Sequence, residues 1–277
     1  MPGTLYVVAT PIGNLEDITL RALRILREVS VIAAEDTRRT SRLLQHYSIS
    51  TPTTSLHAHN EEARTPRLVE RLIGGESVAL VSDAGTPVVS DPGAQLVAAA
   101  HAAGVRVEPV PGPSAALAAI SASGIGGDGF LFVGFPPSRA GARRAWLSRL
   151  ATEARPLVMY EAPHRIRATL DDMLAAFGDR TMALGRELTK VHEELVVKPI
   201  SQHLTRIGDG RGEYTLVVAA VDAVEVFPDL PSPTAICAEF GQLIEIDGVT
   251  RRAAIKQLAL KYGLGARKVY SLIEEGR

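Results

Sequence analysis

Short apolar runs alternate with helix-period segments through the first 120 residues, and no other feature limits the fold of this chain as much. LYVVATP (5–11), VIAAED (31–36), VALVSDAG (78–85) and VRVEPVPGPS (105–114) are strand-like, and TTSLHAH (53–59) has the same look. Between them, ITLRALRILREV (18–29) places Leu20, Leu23, Ile25 and Leu26 at helical spacing. TRRTSRLLQHY, EEARTPRLVERLIGG (ended by its glycines) and GAQLVAAAHAAG supply further helices. Strands that alternate with helices at this interval predict a parallel, doubly wound sheet.

The small-residue stretch SAALAAISASGIGGDG (114–129) reads as a helix followed by a hinge. A second α/β unit follows, with strands in FLFVGF, PLVMYEAP, RTMALGREL, HEELVV and GEYTLVVAAV and helices in RAGARRAWLSRLATE and HRIRATLDDMLAAFG. VEVFPDLPSP (224–233) is a proline-rich linker. The chain then turns helical to its end, with GLG (263–265) between two amphipathic helices in the manner of a helix-turn-helix. The expected units are 1–120, 121–224 and 232–277.

Three strand ends run into loops rich in glycine and proline: ATPIGN, SDAGTP and PVPGPS. Glycine allows close backbone approach and proline fixes φ, so such loops hold one shape. In open parallel sheets, ligands sit at these carboxyl ends. None of the loops matches GxGxxG at the start of a helix with an acid downstream, GxxxxGK[ST] or GxSxG. A nicotinamide site, a P-loop and a nucleophile elbow are therefore unsupported. What remains is a nucleotide-like pocket without phosphate machinery.

Thirty basic and 31 acidic residues leave a net charge of −1, so any contact with nucleic acid has to come from local patches. Cys237 is the lone cysteine, which leaves no intrachain disulfide or cysteine-rich zinc pattern and fits a reducing compartment. No apolar run approaches the roughly 18–20 residues that span a bilayer. No basic segment precedes a long apolar one at the N-terminus, so no signal peptide is expected. These features predict a cytoplasmic protein with no membrane partner.

The ordered blocks TPIGN, SDAGTPVVSDPG, VPGPSAALAAIS, YEAPHRI, RELTKVHEE and GEYTLVV resemble the tetrapyrrole-methylase-type S-adenosylmethionine-dependent methyltransferases. AEDTRRT (34–40) and HAHNE (57–61) are similar to the RsmI-type branch, which methylates the ribose 2′-hydroxyl of a cytidine in small-subunit ribosomal RNA. The likeness covers nearly the whole chain. It implies a two-domain α/β fold, with an N-terminal parallel doubly wound sheet, a mixed α/β second domain and a small helical tail. It further implies S-adenosylmethionine as methyl donor in the cleft between the domains, no metal, small-subunit RNA or the 30S subunit as substrate, and a homodimer. Carried onto matching positions, it places Pro11, Asp83, Ala84, Gly85 and Ser114 on one side of the donor, with Tyr160, Glu161 and Tyr214 on the other. A carboxylate beside ribose hydroxyls or an ammonium group makes a charge-assisted hydrogen bond. Asp83 has a second reading as the N-cap of the helix that follows it.

Methyl transfer to a hydroxyl needs in-line positioning and an acceptor for the proton. By residue type the candidates are Glu35, Asp36, His59, Glu61, Glu161, His164, Glu187 and Lys190, with His59, Glu61, Glu187 and Lys190 ranked first. A dedicated base is not obligatory. His57 and His59 share a strand face, but no third ligand accompanies them, so no metal is expected.

In AEDTRRT, Arg38 and Arg39 are placed to hold phosphates while Asp36 orients the ribose; the alternative is acids favoured by a helix dipole. In SRAGARRAWLSR, Arg139, Arg143, Arg144 and Arg149 surround Trp146, either as a stacking surface for RNA or as a solvated helix with a buried tryptophan. Residues 249–277 hold seven Lys or Arg, among them Arg251, Arg252 and Lys268, against Glu274 and Glu275, a net +5. Two rivals stay open: a methylase of the same fold acting on a small molecule such as a tetrapyrrole, and a non-catalytic nucleic-acid-binding regulator.

Overall fold

The structure is a computed structural model that describes residues 2–208, 211–221, 233–245, 249–262 and 266–276. The chain divides into two compact units, Met1–Asp222 and Ala223–Arg277.

In the first unit the alternation resolves into β1 (Thr4–Val8), α1 (Leu20–Glu28), β2 (Val31–Ala34), α2 (Thr37–His46), β3 (Thr53–Ser55), α3 (Glu61–Ile73), β4 (Val78–Val81), α4 (Ala94–Ala102) and β5 (Arg106–Val110). These strands form one sheet in the order β3-β2-β4-β1-β5, and every pairing is parallel. β3 is shorter than expected, because the chain leaves the sheet after Ser55 and His57 and His59 fall in the turn beyond it.

Successive side chains of a strand point to opposite faces. Ile32, Ala34 and Val8 thus pack with Leu23 and Leu26 of α1 and Leu43 and Leu44 of α2. Val31, Ala33 and Leu5 pack with Leu68 and Leu72 of α3 and Leu96 of α4 on the other face. Helices on both faces make the sheet doubly wound. Thr19 and Asp36 accept N–H bonds from the first turns of α1 and α2, as their types predict for N-caps.

The chain continues through α5 (Ala115–Ser123), β6 (Leu131–Gly134), α6 (Ala140–Leu150), β7 (Leu157–Glu161), α7 (Ile166–Phe177), β8 (Thr181–Arg186), β9 (Glu194–Pro199), α8 (Ile200–Arg206) and β10 (Tyr214–Val218). The second sheet has the order β6-β7-β10-β8-β9, with β6 parallel to β7 and the other pairings antiparallel. Ala116 and Ala119 of α5 pack on Val158, Ala183 and Val217 of this sheet.

The second unit is described by itself. α9 (Pro233–Glu245), α10 (Arg251–Tyr262) and α11 (Ala266–Glu275) enclose Ile236, Phe240, Ala254, Leu258, Val269, Leu272 and Ile273. Glu239 bonds to Lys261 and to the Tyr262 hydroxyl, and the Arg251 guanidinium stands 5.8 Å from the Phe240 ring centre. The GLG tripeptide, and the expected linker except for Pro233, lie outside the described residues. Among the described residues no helix is long and apolar enough to cross a membrane.

Candidate active site

β1 and β4 are neighbours in the first sheet, yet the helices that follow them, α1 and α4, lie on opposite faces. This is the switch point at which doubly wound sheets bind ligands. There the loops after the two strands are cross-bonded through their backbones. The Thr10 N–H donates to the Gly85 carbonyl and the Gly85 N–H donates to the Thr10 carbonyl, both at 2.9 Å. Gly85 has φ +82°, the left-handed region that glycine enters without strain. SDAGTP is therefore a second rung laid across the strand ends.

A cavity of about 420 Å3 opens at this point, within the roughly 300–1,000 Å3 of small-molecule sites. The first sheet contributes Ile12, Glu35, Arg39, Asp83, Ala84, Gly85, Ser90 and Asp91. Ser114, Phe135, Tyr160, Leu188, Glu213 and Tyr214 line the rest. The Tyr160 hydroxyl bonds to Ser114 and to the backbone of Ala116, while burial pushes its pKa up. Its ring lies 5.0 Å from Phe132 and 5.5 Å from Phe135, giving the second sheet's side of the cavity an aromatic wall.

The opposite side is acidic. Glu35 accepts the Asp83 N–H at 3.2 Å, and Asp83 accepts the Asp36 N–H at 3.0 Å and stands 3.5 Å from Arg39. Burial pushes the Glu35 carboxyl above its ordinary value, against the pull of that backbone bond. Burial also raises Asp91, to about 6, against a hydrogen bond to Ser82 and with repulsion from Glu35 and Asp83 adding to the rise. The loop carrying Asp91 holds Val88 at φ 73° and Ser90 at φ 66°. Left-handed backbone at two residues other than glycine costs on the order of 1–3 kcal/mol each and is typical of ligand clamps.

The turn between β8 and β9 reaches across to the loop after β1. Thr189 Oγ1 accepts the Asn14 N–H at 3.0 Å, and a side chain at Gly13 would lie 2.5 Å from Lys190 Cγ. Lys190 donates to Glu187 and Glu213, each at 2.9 Å.

Of the residues expected from the sequence, Asp83, Ala84, Gly85, Ser114, Tyr160, Glu161 and Tyr214 converge on the cavity. Others sit elsewhere or are chemically engaged. Pro11 lines a neighbouring depression of about 150 Å3 with Arg39 and Arg42. The Glu161 carboxylate is fully enclosed and holds the Ala162 N–H, Arg165 and the Thr169 hydroxyl, so it braces the turn into α7. Asp83 does not cap α4, whose N-cap is Gly93; it ties β4 to the start of α2.

Glu61 does not stand as a base. It is only 6% exposed, and its Oε1 accepts N–H bonds from Gly93 at 3.0 Å and Gln95 at 2.8 Å at the N-terminus of α4. Lys190 is also corrected. Burial works against its charge, but the bonds to Glu213 and Glu187 outweigh it and hold its pKa above the lysine value, so it carries no free lone pair at neutral pH. Burial would raise Glu187, yet the Lys190 bond keeps it below its usual value. His59 and His164 are exposed and outside the cavity lining, and among the described residues no cluster of His, Cys, Asp or Glu suits a metal.

Arg38 is 88% exposed and clasps Asp36 through two nitrogens, which holds that carboxyl near 2; Arg39 is 61% exposed at the cavity rim. Arg139, Arg144 and Arg149 face solvent, but Arg143 is buried against Asp172 at 2.7 Å, and Trp146 packs on the core of the second sheet. Trp146 and Arg143 are thus taken up by the fold, while Arg139, Arg144 and Arg149 remain on the surface of α6. Arg251 and Arg252 are exposed, and the Lys268 side chain lies outside what the structure describes. Asp91 escaped the sequence reading, although it stands in the SDPG that repeats the acid and glycine of SDAG.

The family model for tetrapyrrole (corrin/porphyrin) methylases matches residues 4–203. "Ribosomal RNA small subunit methyltransferase I" of Halalkalibacterium halodurans is 43% identical over 279 residues, covering 99% of this chain and 95% of that protein. The protein of the same name from Xylella fastidiosa is 51% identical over 222 residues, covering 78% and 81%. Among solved structures, Thermus thermophilus uroporphyrin-III C-methyltransferase complexed with S-adenosylhomocysteine superposes with a TM-score of 0.58 at 20% identity, over 81% of this chain and all of that one. A cobalt precorrin-4 methyltransferase gives 0.59 at 16%, over 78% and 94%. The chain belongs to the tetrapyrrole methylase family, in its ribosomal RNA small subunit methyltransferase I group.

Proposed function

We propose that the chain transfers a methyl group from S-adenosylmethionine to the 2′-hydroxyl of a cytidine ribose in small-subunit ribosomal RNA. The observation that carries this reading is the switch-point cavity, aromatic on one wall and acidic on the other, with arginines at its rim. Carboxylates facing a cavity suit a cationic sulfonium and ammonium ligand. Backbone turns without a phosphate-binding motif suit a nucleoside that lacks phosphate. The donor supplies a methyl group on an activated leaving group, which leaves positioning as the protein's main task, up to roughly 7–11 kcal/mol in favourable cases.

Ala84, Gly85, Ser114, Tyr160 and Tyr214 form the seat for that donor, and Asp83 fixes the edge nearest α2. Arg38 and Arg39 project from that edge toward solvent, where a polyanion docks. The cytidine, a homodimeric state and a cytoplasmic location rest on the sequence resemblance, and the RNA substrate rests also on the relatives' printed name. An RNA acceptor is favoured over a macrocycle by the relatives' printed name.

The test is transfer of an isotopically labelled methyl group to small-subunit RNA and to assembled subunits, with a porphyrinoid as control. Label on the ribose oxygen of one cytidine is the expected result. Label on the macrocycle alone, or on nothing, overturns the reading.

A further inference from the structure

If the reading above holds, something must take the hydroxyl proton, and the residues favoured from the sequence do not supply it. Glu61 is buried in a helix cap, Lys190 is already protonated, Glu187 is bound to it, and His59 lies outside the cavity. Of the carboxylates that line the cavity, Glu161 holds Arg165 and Thr169, and Glu213 pairs with Lys190. Glu35 accepts the Asp83 N–H, and Asp83 accepts the Asp36 N–H. Asp91 lines the cavity and takes part in no salt bridge among the described residues. It lines the same cavity as Glu35, Asp83 and Arg39, the last of which stands 3.5 Å from Asp83 at the rim.

We propose that Asp91 is the base of the reaction, taking the proton of the ribose hydroxyl as the methyl group arrives. A lone pair on the hydroxyl oxygen forms the new O–C bond, and the C–S bond breaks with its electron pair kept on sulfur. The O–H pair stays on oxygen while the proton passes to the Asp91 carboxylate. The sulfonium charge and the carboxylate charge cancel, leaving a neutral thioether and a neutral carboxyl that loses its proton to water as the products leave.

The surroundings suit the role. Burial sets Asp91 near 6, ionised at neutral pH yet more basic than a free carboxylate. Glu35 and Asp83 repel its charge, Arg39 pairs with Asp83 at 3.5 Å and offsets part of that repulsion, and burial keeps Tyr160 neutral.

The experiment compares the wild-type full chain with Asp91→Asn and Asp91→Glu. It measures kcat/KM for methyl transfer to small-subunit RNA across pH, and the heat of binding of S-adenosylhomocysteine. Wild-type kcat/KM is expected to fall tenfold per pH unit below about 6. Asp91→Asn is expected to lose that limb and about 10²–10⁴-fold in rate while binding S-adenosylhomocysteine as wild type does, and Asp91→Glu to recover part of the rate. An Asp91→Asn protein that keeps the rate or the acid limb, or whose whole loss lies in S-adenosylhomocysteine affinity, overturns the assignment. A wild-type protein that methylates no RNA overturns the function and the base together, a failure distinct from one confined to the variant.

Discussion

Glu35 and Asp83 are bonded reciprocally: Glu35 Oε2 accepts the Asp83 N–H at 3.2 Å, and Asp83 Oδ1 accepts the N–H that follows Glu35 at 3.0 Å. The carboxyl ends of β2 and β4 are thereby locked together at one edge of the cavity, and the first turn of α2 with Arg38 and Arg39 is set by the same contact. Asp83→Ala leaves the Asp36 N–H without its acceptor and removes the partner of Arg39. We expect a loss of about 1–3 kcal/mol in urea unfolding, together with weaker binding of S-adenosylhomocysteine by calorimetry.

Glu61→Ala removes the acceptor for three N–H groups at the start of α4, those of Gly93, Gln95 and Leu96. Loss of a buried, charged cap predicts destabilisation of about 2–3 kcal/mol, with Glu61→Gln milder because one carbonyl oxygen remains. Methyl transfer per folded molecule should stay close to wild type, and a rate loss exceeding the folding loss would restore Glu61 as a catalytic candidate.

The Arg143–Asp172 pair is about nine-tenths buried, with side-chain exposures of 7% and 14%. Removing one partner strands the other, so Arg143→Ala should cost about 3–5 kcal/mol by chemical denaturation. RNA affinity measured on the folded fraction should keep the wild-type salt dependence, because the guanidinium never meets solvent.

Asp91 makes stability depend on pH in the unusual direction for a carboxylate. Its pKa rises on folding, so between about 4 and 6 the folded state binds more protons than the unfolded one, and stability falls as pH rises through that window. Asp91→Asn should therefore be more stable than wild type at pH 7, by about 1–2 kcal/mol after allowance for solvent screening, and the gap should close by pH 4. Melting temperatures of the two proteins across this range check the sign.

Binding of small-subunit RNA should weaken with salt, with a slope of about −0.7 for each phosphate neutralised. Removing residues 232–277, whose three helices have a core of their own, should flatten that slope as the charges of Arg251 and Arg252 leave with it. An unchanged slope would place the RNA contacts on α2 instead.

The strand–helix rhythm and the shaped loops could be read from the sequence because they follow from local chemistry. Leu23 and Leu26 mark a buried helix face by spacing alone, and the Gly-Pro content of SDAGTP announces a fixed turn before any partner is known. Roles that depend on distant partners could not be read this way. Glu61 looks like a solvent-facing acid until Gly93 and Gln95 come to lie above it, and Arg143 looks like an RNA contact until Asp172 closes over it. Tyr160 and Ser114 were placed by resemblance, and only the packing of α5 on the second sheet makes their hydrogen bond visible. Asp91 is distinguished by its environment, not by its type or spacing.

The paired backbone bonds between Thr10 and Gly85 draw on main-chain atoms alone. The buried Thr10 hydroxyl adds a third bond, donated to the Ser82 carbonyl at 3.2 Å, but the crosspiece itself asks of its other end only that the glycine stay. Evolution is then free to rewrite the rim, swapping arginines for apolar or macrocycle-friendly groups, without rebuilding the platform beneath. One inherited chassis carrying interchangeable entrances accounts for how architectures this alike serve acceptors so dissimilar.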